Sequence, residues 1–287
     1  MKKGAIARLV IWSVTALLLI GLLTSVLVFR GLKNGNISIG PSGYTYKNAA
    51  DYSVGGGEIY DEITSVEVNW VNGGINIEVY DGDCVQVSET GAEDEDDRMR
   101  YLIRNGRLII QYRKSGFSFG LSNNQPKEVT VKLPYETAAG LVSVETESAS
   151  AEVRIAGITA SECDISNVSG EIRLEEVKLG RLDYETVSGN ITASGEIASL
   201  EGDSTSGDVT VISAAAPAKI DCESVSGDII AELPADSGFR AELDSVSGDF
   251  SSDLEVKKQG EKYICGDGRG DYSADTVSGN FIIRVLT

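Results

Sequence analysis

Residues 224–229 read SVSGDI, and six further segments of the chain repeat this pattern. The other copies are SASAEV at 148–153, NVSGEI at 167–172, TVSGNI at 186–191, STSGDV at 204–209, SVSGDF at 245–250 and TVSGNF at 276–281. Their central serines are 18 to 21 residues apart, except for a last interval of 31. Self-similarity at a nearly constant spacing is typical of repeat architectures in which each copy stacks on the next.

The copies share an alternation of apolar and acidic residues around the central serine. The third residue after the serine is always apolar, from Val153 to Phe281, and the fifth and third residues before it are almost always Asp or Glu. A period of two predicts a strand with one buried and one solvated face. The glycine and Asp or Asn after the serine favour a turn, because glycine adopts positive φ and Asp or Asn bonds to nearby backbone. Each copy therefore predicts one coil of a parallel β-solenoid.

We therefore predict an all-β fold, with about seven regular solenoid coils over residues 141–287 behind a less regular β-rich section at 58–140. Coils that stack at about 4.8 Å pair their backbones and align like residues. The small polar residue two positions before each serine is expected to form a hydrogen-bonded ladder. The strands expected in the opening section are 64–71, 75–80, 85–88, 101–103, 108–112 and 129–133, and VNGGI at 71–75 is expected to be a turn between the first two. Because Val285 and Leu286 end the chain on the last strand, we expect the C-terminal edge to be lightly covered.

The first residues predict a membrane anchor. Residues 9–29 read LVIWSVTALLLIGLLTSVLVF, which is 21 residues without a charge, and such a helix is about 31 Å long, enough to cross a hydrocarbon core of roughly 30 Å. The residues that follow do not resemble a cleavage site, so we predict one uncleaved transmembrane signal-anchor. Bases are more numerous before this segment than after it, which places residues 1–8 in the cytoplasm and residues 34–287 outside. Glycine-rich residues 30–57 are expected to be a flexible linker.

The charge balance excludes several classes of protein. The chain has 44 acidic and 25 basic residues and a net charge of −19, and it has no histidine. Nucleic-acid binders need a cationic surface, so nucleic acid is excluded as a partner. A chain without histidine has no Ser-His-Asp triad and no histidine-ligated metal. We predict no catalytic and no cofactor-binding residues.

The VSG[DEN][IVF] repeats, together with the opening motifs VNGGI at 71–75 and YDGD at 80–83, resemble the bacterial putative-adhesin family of β-strand repeats, a domain of unknown function. The resemblance covers roughly residues 58–287. It implies a role in the cell envelope, where relatives often accompany envelope stress and regulatory systems. It implies no catalytic residues.

The acidic columns predict ladders on the outward face of the solenoid. Like charges on neighbouring rungs lie about 5 Å apart and repel by about 0.8 kcal/mol in water. A cation such as Ca²⁺ could lie between rungs such as those of Asp208, Asp228 and Asp249, because it binds several carboxylate oxygens. The alternative is a solvated face that prevents lateral association, since the spacing matches no calcium loop. Stacked carboxylates should have raised pKa values in the folded state, so that stability is higher in mild acid.

The sequence also raises expectations about the cysteines, an acidic loop and an apolar segment. Cys163 and Cys222 lie on coils about 14 Å apart along the axis, too distant for a disulfide, and are expected to be small buried hydrophobes, whereas Cys84 could pair with Cys265. The acidic loop at 89–97, ETGAEDEDD, is expected to be solvated and mobile, or else to bind a cation or basic partner. Residues 115–124, SGFSFGLSNN, either pack on the open end of the solenoid or form an exposed apolar tip.

These features predict a membrane-anchored, extracytoplasmic and non-enzymatic binding or scaffold module of the bacterial cell envelope. Its ligand could be an envelope glycan, a peptide or a protein. One alternative is a carbohydrate-active β-helix enzyme, which would need a basic catalytic residue; Arg154 and Arg173 are the only basic pair in one column. The other alternative is a filament that assembles end to end through an uncapped last coil.

Overall fold

A computed structural model describes residues 37–40, 43–116 and 126–287, and most of these residues lie in β-strands. The predicted anchor at 9–29 and most of the predicted apolar tip lie outside the described residues. No helix within the described part is long and apolar enough to cross a membrane. The described chain divides into an N-terminal unit that ends at Glu171 and a C-terminal unit that begins at Ile172.

The N-terminal unit contains thirteen strands, one 3₁₀ turn at Ala49–Asp51 and one helical turn, α1, at Tyr135–Ala138. The strands are β1 Ile37–Gly40, β2 Gly43–Tyr46, β3 Ser53–Val54, β4 Gly57–Ile59, β5 Ser65–Asn69, β6 Asn72–Tyr80, β7 Val85–Thr90, β8 Arg100–Arg104, β9 Arg107–Gln111, β10 Lys127–Pro134, β11 Leu141–Ser148, β12 Ser150–Ala156 and β13 Thr159–Ser169. All six strands expected from the alternation in the opening section are present, with ends shifted by a few residues.

The C-terminal unit contains twelve strands. They are β14 Ile172–Ser188, β15 Ile191–Ile197, β16 Ser199–Ser206, β17 Val209–Ser213, β18 Lys219–Ser226, β19 Ile229–Leu233, β20 Phe239–Ser245, β21 Phe250–Ser252, β22 Val256–Gln259, β23 Lys262–Cys265, β24 Gly270–Ser278 and β25 Phe281–Val285. Strands before and after each Ser-Gly bend form two separate parallel stacks.

The predicted alignment of repeats is confirmed in the C-terminal unit. Ser188 pairs with Ser206, Ser206 with Ser226 and Ser226 with Ser278, in parallel register. Four apolar residues after the bend stack on one another and are buried, in the order Ile191, Val209, Ile229 and Phe281. At the bend the coils approach too closely for a side chain, because a Cβ on Gly227 would lie 2.2 Å from the carbonyl oxygen of Gly207. The glycine therefore serves both the turn and the close stacking of coils.

The spatial order of the last coils differs from their order in the sequence. Strand β24 pairs with β18 on one side and with β20 on the other, and β25 lies in the same way between β19 and β21. The last coil is therefore inserted between two earlier coils, and the coil of β20 and β21 is the outermost. Its strand β20 also pairs with antiparallel β23, which forms a hairpin with β22. The expectation that the chain ends on a lightly covered edge is wrong, because the 31-residue interval contains this hairpin and lets the chain return.

The opening section is more regular than its sequence indicates. Strands β5 and β6 stack in parallel on β11 and β12, and β9 and β10 stack in parallel on the other side of β5 and β6. Antiparallel β8 and β7 cover this outermost coil. The VNGGI motif, expected to be a turn between strands, contributes a rung: Gly73 is in register with Ala151, and a Cβ there would lie 2.0 Å from the carbonyl oxygen of Lys127.

Two further expectations need correction. Residues 43–57 of the expected flexible linker are folded, because Tyr44 is buried and its hydroxyl donates to the side chain of Gln111.

The expected ladder of small polar residues, two positions before each central serine, is hydrogen-bonded in the N-terminal unit, where Ser148 bonds to Asn167 over 2.8 Å. In the C-terminal unit the corresponding buried hydroxyls make no hydrogen bond within the described protein. Side chains as short as serine do not bridge rungs spaced at about 4.8 Å.

Candidate functional site

Five carboxylates form one continuous outward column across the C-terminal unit, which we call the acidic ladder. They lie three residues before the central serine and follow the spatial order of the coils: Glu185, Asp203, Glu223, Asp275 and Asp244. The alternation that directs the neighbouring side chains inward, such as Tyr184 and Cys222, directs these carboxylates to the surface. The sequence predicted this column, but the structure places Asp275 before Asp244.

Neighbouring carboxylates of the acidic ladder repel one another. Partial burial is the largest cause that raises the pKa of Glu223, followed by the charges of Asp203 and Asp275 on the neighbouring rungs. Partial burial also raises the pKa of Asp275, with a further contribution from Asp244. Both shifts have the direction expected of stacked carboxylates, with partial burial as their largest cause.

In the adjacent outward column, five residues before the serine, cations bridge the rungs. Arg181 lies 2.6 Å from Asp183 and 3.3 Å from Glu201. Lys219 lies 3.2 Å from Glu201 and 3.0 Å from Asp221, and hydrogen bonds to these two carboxylates raise its pKa. Since these bridges join successive coils, this column stabilises the stack.

The three aspartates considered as cation ligands, Asp208, Asp228 and Asp249, take part in a series of hydrogen bonds between coils. The backbone N–H of Asp228 donates to the side chain of Asp208 over 2.9 Å, and Asn280 donates both its backbone and amide N–H to Asp228. The backbone N–H of Asp249 then donates to Asn280. Asp208 and Asp228 thus lie on neighbouring rungs, but Asn280 separates Asp228 from Asp249. Within the described ranges no group of three or more acidic or cysteine side chains is arranged to hold a metal ion.

The acidic loop at 89–97 is attached to the N-terminal unit at both ends. The carboxylate of Glu89 lies 3.1 Å from the ammonium of Lys127, whose side chain is completely buried. Asp97 lies 3.2 Å from Arg113, which is also buried. The expected mobility of the loop is therefore wrong at its ends. Lys127 lies two and four residues before the buried Val129 and Val131, so it points to the same inward face of β10. This alternation in the sequence could have revealed that the lysine is buried.

All four cysteines are free and buried. Burial raises the pKa of the Cys222 thiol to about 12 and also raises that of Cys163. These two residues lie in the inward columns, which confirms their prediction as small buried hydrophobes. Arg154, one of the basic pair considered for the enzyme alternative, lies 3.8 Å from Glu78 and bonds to Asn76.

Three solved structures are similar to this chain. A Bacteroides fragilis protein described as a putative adhesin has a TM-score of 0.50 at 14% identity, over 80% of this chain and 97% of its own. A putative cell adhesion protein from Clostridium sporogenes has a TM-score of 0.33 at 12% identity, over 82% of this chain and 99% of its own. A putative lipid binding protein from Parabacteroides distasonis has a TM-score of 0.41 at 14% identity, over 80% of this chain and 96% of its own.

None of the curated protein sequences is significantly similar to the chain. The sequence profile of the Toastrack family, DUF4097, however, matches residues 63–284, which include every repeat and both opening motifs. The resemblance to an adhesin-like family of unknown function is thereby confirmed, and this chain belongs to the Toastrack DUF4097 family.

Proposed function

We propose that this protein is a non-enzymatic binding or scaffold module of the bacterial cell envelope, held at the membrane by residues 9–29. The observation that carries the proposal is the acidic ladder, a row of five carboxylates on one outward face. The inward positions of the same coils are filled by buried apolar side chains such as Ile229 and Phe281. A ligand of the C-terminal unit therefore binds on an outward face, and a ligand with spaced positive charges complements the ladder.

The membrane attachment rests on the sequence of the first 33 residues. Residues 9–29 carry no charge, and the bases Lys2, Lys3 and Arg8 precede them. This asymmetry favours a cytoplasmic N-terminus and an extracytoplasmic β domain. Modification of a cysteine introduced at the exposed position Ser251 by a membrane-impermeant thiol reagent, in intact cells, tests the orientation. Labelling only after lysis would contradict it.

Binding is tested by titration calorimetry of the full chain with cationic peptides, Ca²⁺ and envelope glycans. The double variant Glu223→Gln, Asp275→Asn should weaken the binding of a cationic peptide at least severalfold, because it removes two central charges of the ladder. The matched control is Glu196→Gln, an exposed acid of the same unit that pairs with Lys178 at 2.8 Å. An equal loss of binding per charge removed in both variants would indicate a general effect of net charge and contradict a site on the ladder.

A role in adhesion is the more specific form of the proposal. The B. fragilis structure is described as a putative adhesin, and the family resemblance implies the envelope. Cells that display the protein should attach to a glycan- or protein-coated surface more than cells that display the double variant. Equal attachment would limit the function to scaffolding or to association with envelope stress systems.

A further inference from the structure

The N-terminal unit encloses an amine and a carboxyl group in direct contact. The Nζ of Lys127 lies 3.1 Å from Oε2 of Glu89, and their side chains are 0% and 7% exposed. Nζ also donates to the carbonyl oxygens of Asp97 and Tyr112, both at 2.5 Å. The rings of Trp70 and Tyr112 lie beside it, with centroids 5.1 and 4.2 Å away. These contacts hold Nζ in one position and exclude solvent from it.

The carboxyl group of Glu89 is held as firmly. The backbone N–H of Met99 donates to both of its oxygens, over 2.8 and 3.0 Å. A second carboxylate, that of Asp97, is 14% exposed and lies 3.2 Å from the buried guanidinium of Arg113. The negative charge of Asp97 also favours the charged form of Lys127 and acts to raise its pKa. The cluster therefore combines an amine, an acceptor carboxyl group with an N–H donor, and a second carboxylate.

We propose that Lys127 and Glu89 condense into an intramolecular isopeptide bond between Nζ and Cδ. The residues at the ends of the bond belong to β10 and β7, which are antiparallel neighbours. The bond would covalently join two strands at the outer coil of the N-terminal unit and close a loop between positions 38 residues apart.

The reaction balances without an oxidant or reductant. A proton passes from the ammonium to the Glu89 carboxylate, and the lone pair of the resulting amine attacks Cδ to form the C–N bond. The negative charge that develops on oxygen is stabilised by the Met99 N–H. The second proton of Nζ passes to the departing hydroxyl of the same tetrahedral intermediate as the C–O bond breaks. The ammonium and the carboxylate become one amide and one water molecule.

Burial supports this reaction at Lys127. Burial is the largest influence on the pKa of Lys127 and lowers it, so the nucleophilic neutral amine is more accessible than for a lysine in water. Two groups held in contact, as Nζ and Oε2 are here, also have effective concentrations of about 10⁵ M or more when their reacting atoms are aligned. An ordinary buried ion pair would share the short distance but would remain two separate charged groups.

A second ion pair of the N-terminal unit, between Lys114 and Asp96, is an internal control. Lys114 lies 2.7 Å from Asp96, closer than Lys127 lies to Glu89, but both side chains are about half exposed. Water solvates both charges there and competes for the carboxyl group, so this pair should not condense. A comparison of the two pairs therefore separates the effect of burial from that of distance.

Intact mass spectrometry of the full chain, followed by peptide mapping, tests the proposal. The expected result is the loss of the mass of one water molecule and a branched peptide that joins Lys127 to Glu89. Lys127→Arg should have the full mass, and Glu89→Gln, if it folds, should lose ammonia in place of water. An unchanged mass after prolonged incubation of the folded wild-type chain would overturn the proposal. A branch at Asp97, or between Lys114 and Asp96, would overturn it as well.

Discussion

At the scale of single residues, the carboxylates of the acidic ladder lower the stability of the fold but give the protein an acidic outward face. Its members lie on neighbouring rungs, and Glu223 and Asp275 have raised pKa values because burial and adjacent carboxylates disfavour their charged forms. Each nearest-neighbour repulsion is about 0.8 kcal/mol in water at 5 Å before screening by salt. Bridging cations reduce this repulsion in the adjacent column, where Lys219 joins Glu201 to Asp221.

The substitution Glu223→Gln should therefore stabilise the protein at pH 8 and low salt, by about 1 kcal/mol or less because the site is partly exposed. The folded pKa of Glu223 is above its unfolded value, so the ionised carboxylate destabilises the fold above the folded pKa. Wild-type stability should rise as the pH falls through the folded pKa, and the advantage of the variant should shrink toward pH 4.

Thermal melting of both proteins at pH 8 and in mild acid measures this effect. Glu196→Gln, which removes a carboxylate paired with Lys178, serves as the control and should slightly lower the melting temperature at pH 8. A Glu223→Gln variant that melts below the wild type at pH 8 and low salt would contradict the repulsion within the ladder.

At the scale of strands, the inserted last coil holds the outermost coil in place. Within the described residues, β20 pairs with β24 and β23, and β21 pairs only with β25. Tyr272 on β24 stacks on Phe239 with centroids 5.2 Å apart, and Phe281 on β25 contacts Phe250 at 5.7 Å. The coil of β20 and β21 and the hairpin of β22 and β23 thus attach to the rest of the C-terminal unit through the last coil.

The substitution Gly279→Val should loosen the outermost coil together with the last coil. A Cβ at Gly279 would lie 2.0 Å from the carbonyl oxygen of Gly227, so the two coils would have to separate. We expect a loss of about 3 kcal/mol of stability. In hydrogen exchange, the amides of β20, β21, β24 and β25 should lose protection together, while those of β16 remain protected.

Gly260→Ala is the matched control, because a Cβ there meets no atom within 4 Å although φ is +68°. Only the local preference of the turn should change, by about 1 kcal/mol. Loss of protection limited to β24 and β25 in the Gly279→Val variant would show that the outermost coil does not depend on the last one.

At the scale of the whole molecule, each unit protects its outermost coil with antiparallel strands. In the N-terminal unit β7 and β8 cover β10 and β9, and in the C-terminal unit β23 covers β20. The ring of Tyr263 on β23 also stacks on Phe250, 4.1 Å between centroids. Covering an edge prevents other chains from pairing with it. This arrangement removes the premise of the filament alternative, which required an uncapped last coil.

Removal of the cover should make the protein associate. Tyr263→Pro removes a backbone N–H in the hairpin and the ring that covers Phe250, which should expose the edge of β20. Light scattering should show an apparent mass that increases with concentration for this variant and remains constant for the wild type. Lys258→Ala, which leaves both strands intact, is the control. A variant that remains monomeric at all concentrations would contradict a protective role for the hairpin.

The residues of each repeat determined the coil, the inward and outward columns and the acidic face, because each position in a coil has one environment and tolerates few residue types. Only the tertiary structure decided the order of the last coils. Because all coils have similar inward and outward columns, any coil can stack on almost any other. The length of the 31-residue interval does not indicate between which coils the last coil is inserted. The contact of Lys127 with Glu89 was likewise undetermined by the sequence, since it depends on antiparallel pairing across a distance of 38 residues.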